Sequence, residues 1–285
     1  MDRRDFIKGA AVSTVRGFPH AAMAKTDQSS APKLKGNIRH SVARWCYNSI
    51  PLEELLPAIK DMGLDAIDLI FPKDWPILQK YGIHCTMVKG AAISHEKGFN
   101  NPAYHKQLIK NYKEMILKMA DAGYTNVICY SGNRKGMNDY VGLENCVRGL
   151  SEIMPLAEEK GVVLQMELFN QINHPDYMAD NSIWGVELCR RLGSDSFKLL
   201  YDIYHMQIQE GDIIRTIQNY HQYFGHYHTG GVPGRHEIDD SQELYYPAIM
   251  KAILATGYEG YVAQEFLPAR DPLTSLKEAV MICDV

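Results

Sequence analysis

From Ile38 onward the chain alternates short runs rich in β-branched and aromatic residues with longer runs of helical, amphipathic spacing, and it does so eight times. The extended runs expected are 38–47, 66–71, 83–89, 126–131, 162–169, 197–204, 226–229 and 261–266. Between and after them, helices are expected over 52–62, 75–80, 102–122, 143–160, 183–192, 213–223, 244–255 and 273–283. Strands that alternate with helices in this way belong to βαβ units, whose strands run parallel. Gly63, Gly82, Gly123, Gly161, Gly193, Gly225 and Gly257 mark the ends of seven helices, where glycine accepts the left-handed conformation that stops a helix. Eight such units imply a single closed (β/α)8 TIM barrel, with its active site at the C-terminal ends of the strands. The competing open, doubly wound sheet usually carries a G-x-G-x-x-G turn after an early strand. The chain has none, which also argues against a dinucleotide cofactor.

A length of 285 residues allows one large or two average domains. No Gly/Ser/Pro-rich linker divides the chain after Lys35, so residues 38–285 read as one barrel domain. Before it, Arg3-Arg4-Asp5-Phe6-Ile7-Lys8 resembles a twin-arginine export signal, and Ala22-Met23-Ala24 offers a small-x-small cleavage site. Residues 1–24 are therefore expected to be a signal peptide, 25–37 a polar spacer, and the mature protein periplasmic; the alternative is a cytoplasmic chain with an irregular N-terminus. The six cysteines stand singly, without C-x-x-C, and read as buried free thiols. The formal charge of -4 offers no basic field for nucleic acid, and no apolar run approaches the roughly 20 residues needed to cross a bilayer. The expected partner is a small molecule, and a homo-oligomer is compatible with the sequence.

The chemistry should sit where polar residues end the strands. Glu167, Asp202, His228 and Glu265 each follow an apolar stem, in four consecutive strand candidates. One such carboxylate alone is as easily a helix cap or a solvated loop residue. Four in successive strands converge at one barrel mouth, as a mainly oxygen ligand set suited to Mn²⁺ or Mg²⁺, with Co²⁺ or Zn²⁺ also accommodated. Without a cation, the three carboxylates repel one another and at least one pKa rises. His205 and Arg235 are the candidates to meet a substrate oxygen or carboxylate, although Arg235 has a plainer reading as a loop ion pair with Glu237 or Asp239. His226 reads as a hydrogen-bonding histidine inside the barrel. His174 is a weaker candidate that reads more readily as a surface-loop histidine, and His95 has no comparable setting.

Leu199-Leu200-Tyr201-Asp202-Ile203-Tyr204-His205-Met206-Gln207, Val232-Pro233-Gly234-Arg235-His236-Glu237, Glu167-Leu168-Phe169-Asn170, Glu243-Leu244-Tyr245-Tyr246 and Gln264-Glu265-Phe266 resemble the hydroxypyruvate isomerase family of the xylose isomerase-like barrels, over about residues 38–284. The resemblance implies a divalent metal held by Glu167, Asp202, the residue at 228 and Glu265. It also implies proton transfer by Glu167 and Glu265, and substrate contacts from His205 and Arg235. Two departures stand out. Position 228 is His, where typical members carry glutamine and related ketose 3-epimerases histidine, and residues 238–242 replace a Pro/Gly-rich continuation.

The expected function is a metal-dependent sugar or hydroxy-carbonyl isomerase acting through an enediolate. A ketose 3-epimerase, a polyol dehydratase on the same site and an exported sugar-binding protein with little catalysis are the alternatives. Apurinic-site endonucleases of the same superfamily need more metal ligands and a basic track. Here strands two and three close on Leu69-Ile70-Phe71 and Met87-Val88-Lys89, and the net charge is negative.

Overall fold

In the computed structural model, which describes residues 33–285, each of the eight extended runs forms a strand: β1 (Arg39–Val42), β2 (Ala66–Ile70), β3 (His84–Val88), β4 (Asn126–Cys129), β5 (Val163–Glu167), β6 (Phe197–Asp202), β7 (Phe224–Thr229) and β8 (Tyr261–Gln264). All pair in parallel, in the order β1-β8-β7-β6-β5-β4-β3-β2. The remaining seam, between β1 and β2, is bridged at Ala43 and Asp68. The result is a TIM barrel, as the alternation requires. The signal expected at 1–24, and the spacer as far as residue 32, lie outside the described residues. The end of the spacer is tied to the C-terminus: Lys35 N–H donates to the Asp284 carboxylate at 2.9 Å, and Asn37 donates to the Val285 carbonyl.

Ten α-helices surround the barrel among the described residues: α1 (Leu52–Asp61), α2 (Trp75–Tyr81), α3 (His105–Ala122), α4 (Asp139–Ser151), α5 (Met154–Lys160), α6 (Ser182–Leu192), α7 (Ile203–Gln209), α8 (Ile213–Tyr220), α9 (Tyr246–Ala255) and α10 (Pro272–Cys283). In α1 the buried residues are Leu52, Leu55, Leu56 and Ile59, the i, i+3, i+4, i+7 stripe that a helix lays on a sheet. The main core lies between strands and helices. Inside the barrel, by contrast, a polar layer is hydrogen-bonded across strands: Ser41 to Thr86 at 2.9 Å, Thr86 to Asp68 at 2.6 Å, and Gln165 to Asn126 at 2.9 Å. None of these helices is long and apolar enough to cross a membrane. The six thiols are free, and all but Cys46 are buried.

Three expectations are corrected. Six of the seven glycines take a positive φ, but Gly225 lies inside β7 instead, where a Cβ would come within 2.7 Å of Gln165 Oε1 and 2.9 Å of Lys198 Cβ. The helix expected over 143–160 is two, α4 and α5, because Pro155 has no N–H to donate back to the preceding turn. The strand expected over 197–204 stops at Asp202, whose carboxylate accepts the His205 N–H at 3.2 Å and starts α7 directly at the mouth.

Candidate active site

Strand register determines how the four predicted side chains meet. Asp202 and His228 are direct partners across β6 and β7, and Glu167 ends β5 opposite Leu200. Glu265 follows β8, and its N–H is bonded to the Thr229 carbonyl at 3.1 Å. All four side chains are buried, and each offers a ligand atom within 4.8 Å of the others. His228 Nδ1 lies 2.6 Å from Glu265 Oε2 and 3.3 Å from Glu167 Oε1. Neither contact has hydrogen-bond alignment, so Nδ1 is a buried nitrogen without a partner. An orphaned imidazole nitrogen among three carboxylates is the donor set of a divalent cation, and these residues fit one.

The opposite nitrogen of the ring is held by a residue that the sequence reading missed. His228 Nε2 is 2.7 Å from Asp68 Oδ2, which His226 Nε2 also approaches at 3.1 Å. Asp68 is fully buried in β2 at a break in register, beside Leu69 at φ +58°. Such bulges re-aim side chains next to active sites. The only available signal was a lone carboxylate in the apolar run Ala66-Ile67-Asp68-Leu69-Ile70. A carboxylate behind a ligating histidine fixes its tautomer and raises its basicity.

Electrostatics separates the carboxylates. Burial pushes Glu167 up to about 7, with the neighbouring Glu265 adding to the shift against the pull of His228. Burial likewise takes Asp202 up to about 6, against Arg235. Burial acts on Glu265 too, but His228 and Arg235 overcome it and hold that carboxyl well below the usual range. Burial disfavours charge on His228, yet Glu265 together with contacts to Asp68 and Glu167 raises it well above an ordinary imidazole. A cation bound here must therefore displace protons from Glu167, Asp202 and His228 Nδ1. Mn²⁺ affinity is expected to fall about tenfold per pH unit, or more, as pH drops below about 7, with protons released on binding. Calorimetric titration at pH 6, 7 and 8 in buffers of different ionisation enthalpy measures both; a pH-independent affinity without proton release would rule this ligand set out.

Arg235, at φ +60°, reaches back into the mouth and does not pair with Glu237 or Asp239. Its guanidinium donates to Asp202 Oδ2 at 2.9 Å and to Glu265 Oε2 at 2.6 Å, between the rings of Trp45 and Tyr204. Glu237 instead accepts from the N–H groups of Ala269 and Arg270 and from Ser275. His205 Nδ1 faces the Asn170 N–H at 3.3 Å, and its Nε2 faces the Arg235 guanidinium at 3.2 Å and Asp202 Oδ2 at 3.6 Å. Burial and Arg235 keep this imidazole neutral. His174 is no free surface residue: it stacks on Phe169 with centroids 4.0 Å apart and lines the mouth. Burial, with His95 and Arg235 nearby, lowers its pKa to about 4. His95 packs edge-on against it at 5.1 Å, a setting the sequence reading did not give it. Trp45, also missed, donates to Glu265 Oε1 at 2.5 Å. The cavity above the cluster measures about 310 Å³, near the lower end for small-molecule sites.

Known proteins share this framework. A 2-oxo-tetronate isomerase of Cupriavidus necator is 33% identical over 112 residues, which are 39% of this chain and only 43% of that protein. One from Haemophilus influenzae is 22% identical over 256 residues, 86% of this chain and 97% of that protein. The IolI protein, solved with a bound zinc atom, superposes with a TM-score of 0.68 at 16% identity, covering 86% of this chain and 95% of its own. The family model described as xylose isomerase-like TIM barrel matches residues 56–281. With its eight parallel strands, the chain belongs to the xylose isomerase-like TIM barrel family.

Proposed function

We propose that this protein is a divalent-metal-dependent isomerase of small hydroxy-carbonyl compounds, moving hydrogen between adjacent carbons through an enediolate. The observation that carries the reading is the convergence of Glu167, Asp202, Glu265 and the unpartnered Nδ1 of His228 on one buried point under the cavity. The 2-oxo-tetronate isomerases to which it is similar support the same enzyme class for this chain. Glu167, Asp202, His228 and Glu265 would hold the metal; Mn²⁺ or Mg²⁺ suits the oxygen-rich set. Bound there, such a cation supplies positive charge that acidifies the substrate C–H and stabilises the enediolate.

The chain's own groups do the rest. Glu167, buried at the end of β5 beside the cluster and ionised once a cation is bound, takes the proton from carbon as the general base. Glu265, anchored by Trp45 and Arg235, lies across the cluster and handles the proton's return. The neutral His205 and the Arg235 guanidinium face a substrate oxygen together, and Arg235 stabilises the negative charge that develops there. Return to the neighbouring carbon gives isomerisation; return to the opposite face of the original carbon gives epimerisation.

The test is incubation of the Mn²⁺-reconstituted protein with ketoses, aldoses and small hydroxy-oxo acids in D₂O, followed by product mass and NMR. We expect solvent deuterium in one substrate class, abolished by chelation and restored by Mn²⁺. Binding without label would assign a sugar-binding protein, and loss of water from the product a dehydratase.

A further inference from the structure

Lys89 directly follows β3 and is half-buried, with its ammonium 5.6 Å from the centroid of the Phe71 ring. It lines the 310 Å³ cavity together with Glu167, Glu265 and Arg235. It also lines a neighbouring cavity of about 280 Å³, whose wall carries Arg44, Lys73 and a single carboxylate, Asp74. Trp45 and Leu69 are common to both cavities, so Lys89 stands at their junction, on the cationic side of the mouth.

The two cations that line the mouth are not equivalent. Arg235 pairs with Asp202 and Glu265, gives its Nε–H to the Glu265 carbonyl and sets its third nitrogen against His205. Among the described residues, no carboxylate pairs with Lys89. A half-buried ammonium has lost part of its hydration without a compensating charge, which an anionic ligand group supplies. Two of the carboxylates in the cluster, Asp202 and Glu265, are already paired with Arg235 and are not free to pair with Lys89.

We propose that Lys89 is a specificity-determining residue. It receives the carboxylate of an open-chain hydroxy-oxo acid whose hydroxy-carbonyl end lies over Glu167 and Glu265, so that the mouth prefers this acid to the neutral ketose of equal length. The assignment of the reacting end rests on the isomerase reading above.

The pair 2-oxo-tetronate and erythrulose tests it, because the two share a four-carbon skeleton and differ by a carboxylate against a hydroxymethyl group. Turnover and calorimetric binding of both are measured on the full, Mn²⁺-reconstituted chain. The unsubstituted protein should favour the acid about tenfold or more, as expected for a hydrogen bond between charged groups. Lys89→Met should cut kcat/KM for the acid about 10- to 100-fold through KM, bringing the acid-to-ketose ratio near one. Lys89→Arg should keep most of the preference. Equal losses on both compounds, a preference for erythrulose in the unsubstituted protein, or no binding of the acid would each overturn the proposal. If neither compound is turned over but the acid binds in a Lys89-dependent way, the isomerase reading falls and Lys89 stands. Turnover of erythrulose with acid binding indifferent to Lys89 gives the reverse.

Discussion

Glu167→Gln and Glu265→Gln should each lower kcat by about 10³-fold or more at saturating Mn²⁺, because a positioned general base typically contributes 10²- to 10⁴-fold and each residue is also a ligand. Glutamine keeps the volume and loses the basic oxygen. The two variants should differ in how they fail. Glu265 is the closest carboxylate to His228 Nδ1 and accepts from both Arg235 and Trp45, so its amide leaves the Arg235 guanidinium facing a neutral group, removes a charged ligand and weakens Mn²⁺ binding as well. Glu167 makes a looser contact at 3.3 Å, so its amide should spare more metal affinity while removing deuterium exchange. Metal titration and solvent-deuterium uptake on the same preparations separate the two effects. Full turnover by either variant with metal bound would remove that residue from the chemistry.

Asp68→Asn is expected to weaken Mn²⁺ binding by about 10- to 100-fold while leaving most of kcat at saturating metal, the behaviour of a positioning residue behind a ligand. Asp68 accepts from Thr86 at 2.6 Å and faces both His226 and His228. Burial alone would raise its pKa; the two histidines reverse that and drive it well below the carboxylate range. An amide offers one acceptor where three donors converge, so His228 loses the partner that keeps its proton on Nε2 and leaves Nδ1 toward the cluster. Asp68→Ala should also destabilise the metal-free fold, by about 3–5 kcal/mol, the typical result of removing one member of a buried charged pair. Mn²⁺ isotherms and chemical unfolding of the metal-free protein check both statements. Unchanged Mn²⁺ affinity in Asp68→Asn would end the positioning role.

Much of this arrangement was legible in the linear chain. The alternation of β-rich and helical runs gave eight strands and most helix limits, because those periods report which faces meet the core. Glu167, Asp202, His228 and Glu265 were visible as polar residues ending apolar stems. The misses share a cause. Gly225 looks like a helix stop in the sequence, yet β7 begins one residue earlier, and the contact with Gln165 that excludes a side chain comes from two strands away. Asp68 sits in an ordinary apolar strand until a register break and two histidines about 160 residues away turn it into a partner of the site. His174 and His95 gain their place only when Phe169 and Tyr130 bring their loops together. Lys89 reads in the sequence only as the end of a strand without ligands, and is singled out because no carboxylate among the described residues pairs with it.

By itself, then, the sequence determined the barrel and the four residues at its mouth, since both follow from short-range patterns: hydrophobic period, glycine stops and the polar ends of strands. Only the tertiary structure decided the rest. It set which imidazole nitrogen of His228 faces the carboxylates, which carboxyls sit near neutrality and which stay ionised, and which lining cation is already paired. These are properties of distance and burial between residues far apart in the chain, and closing the barrel is what creates both.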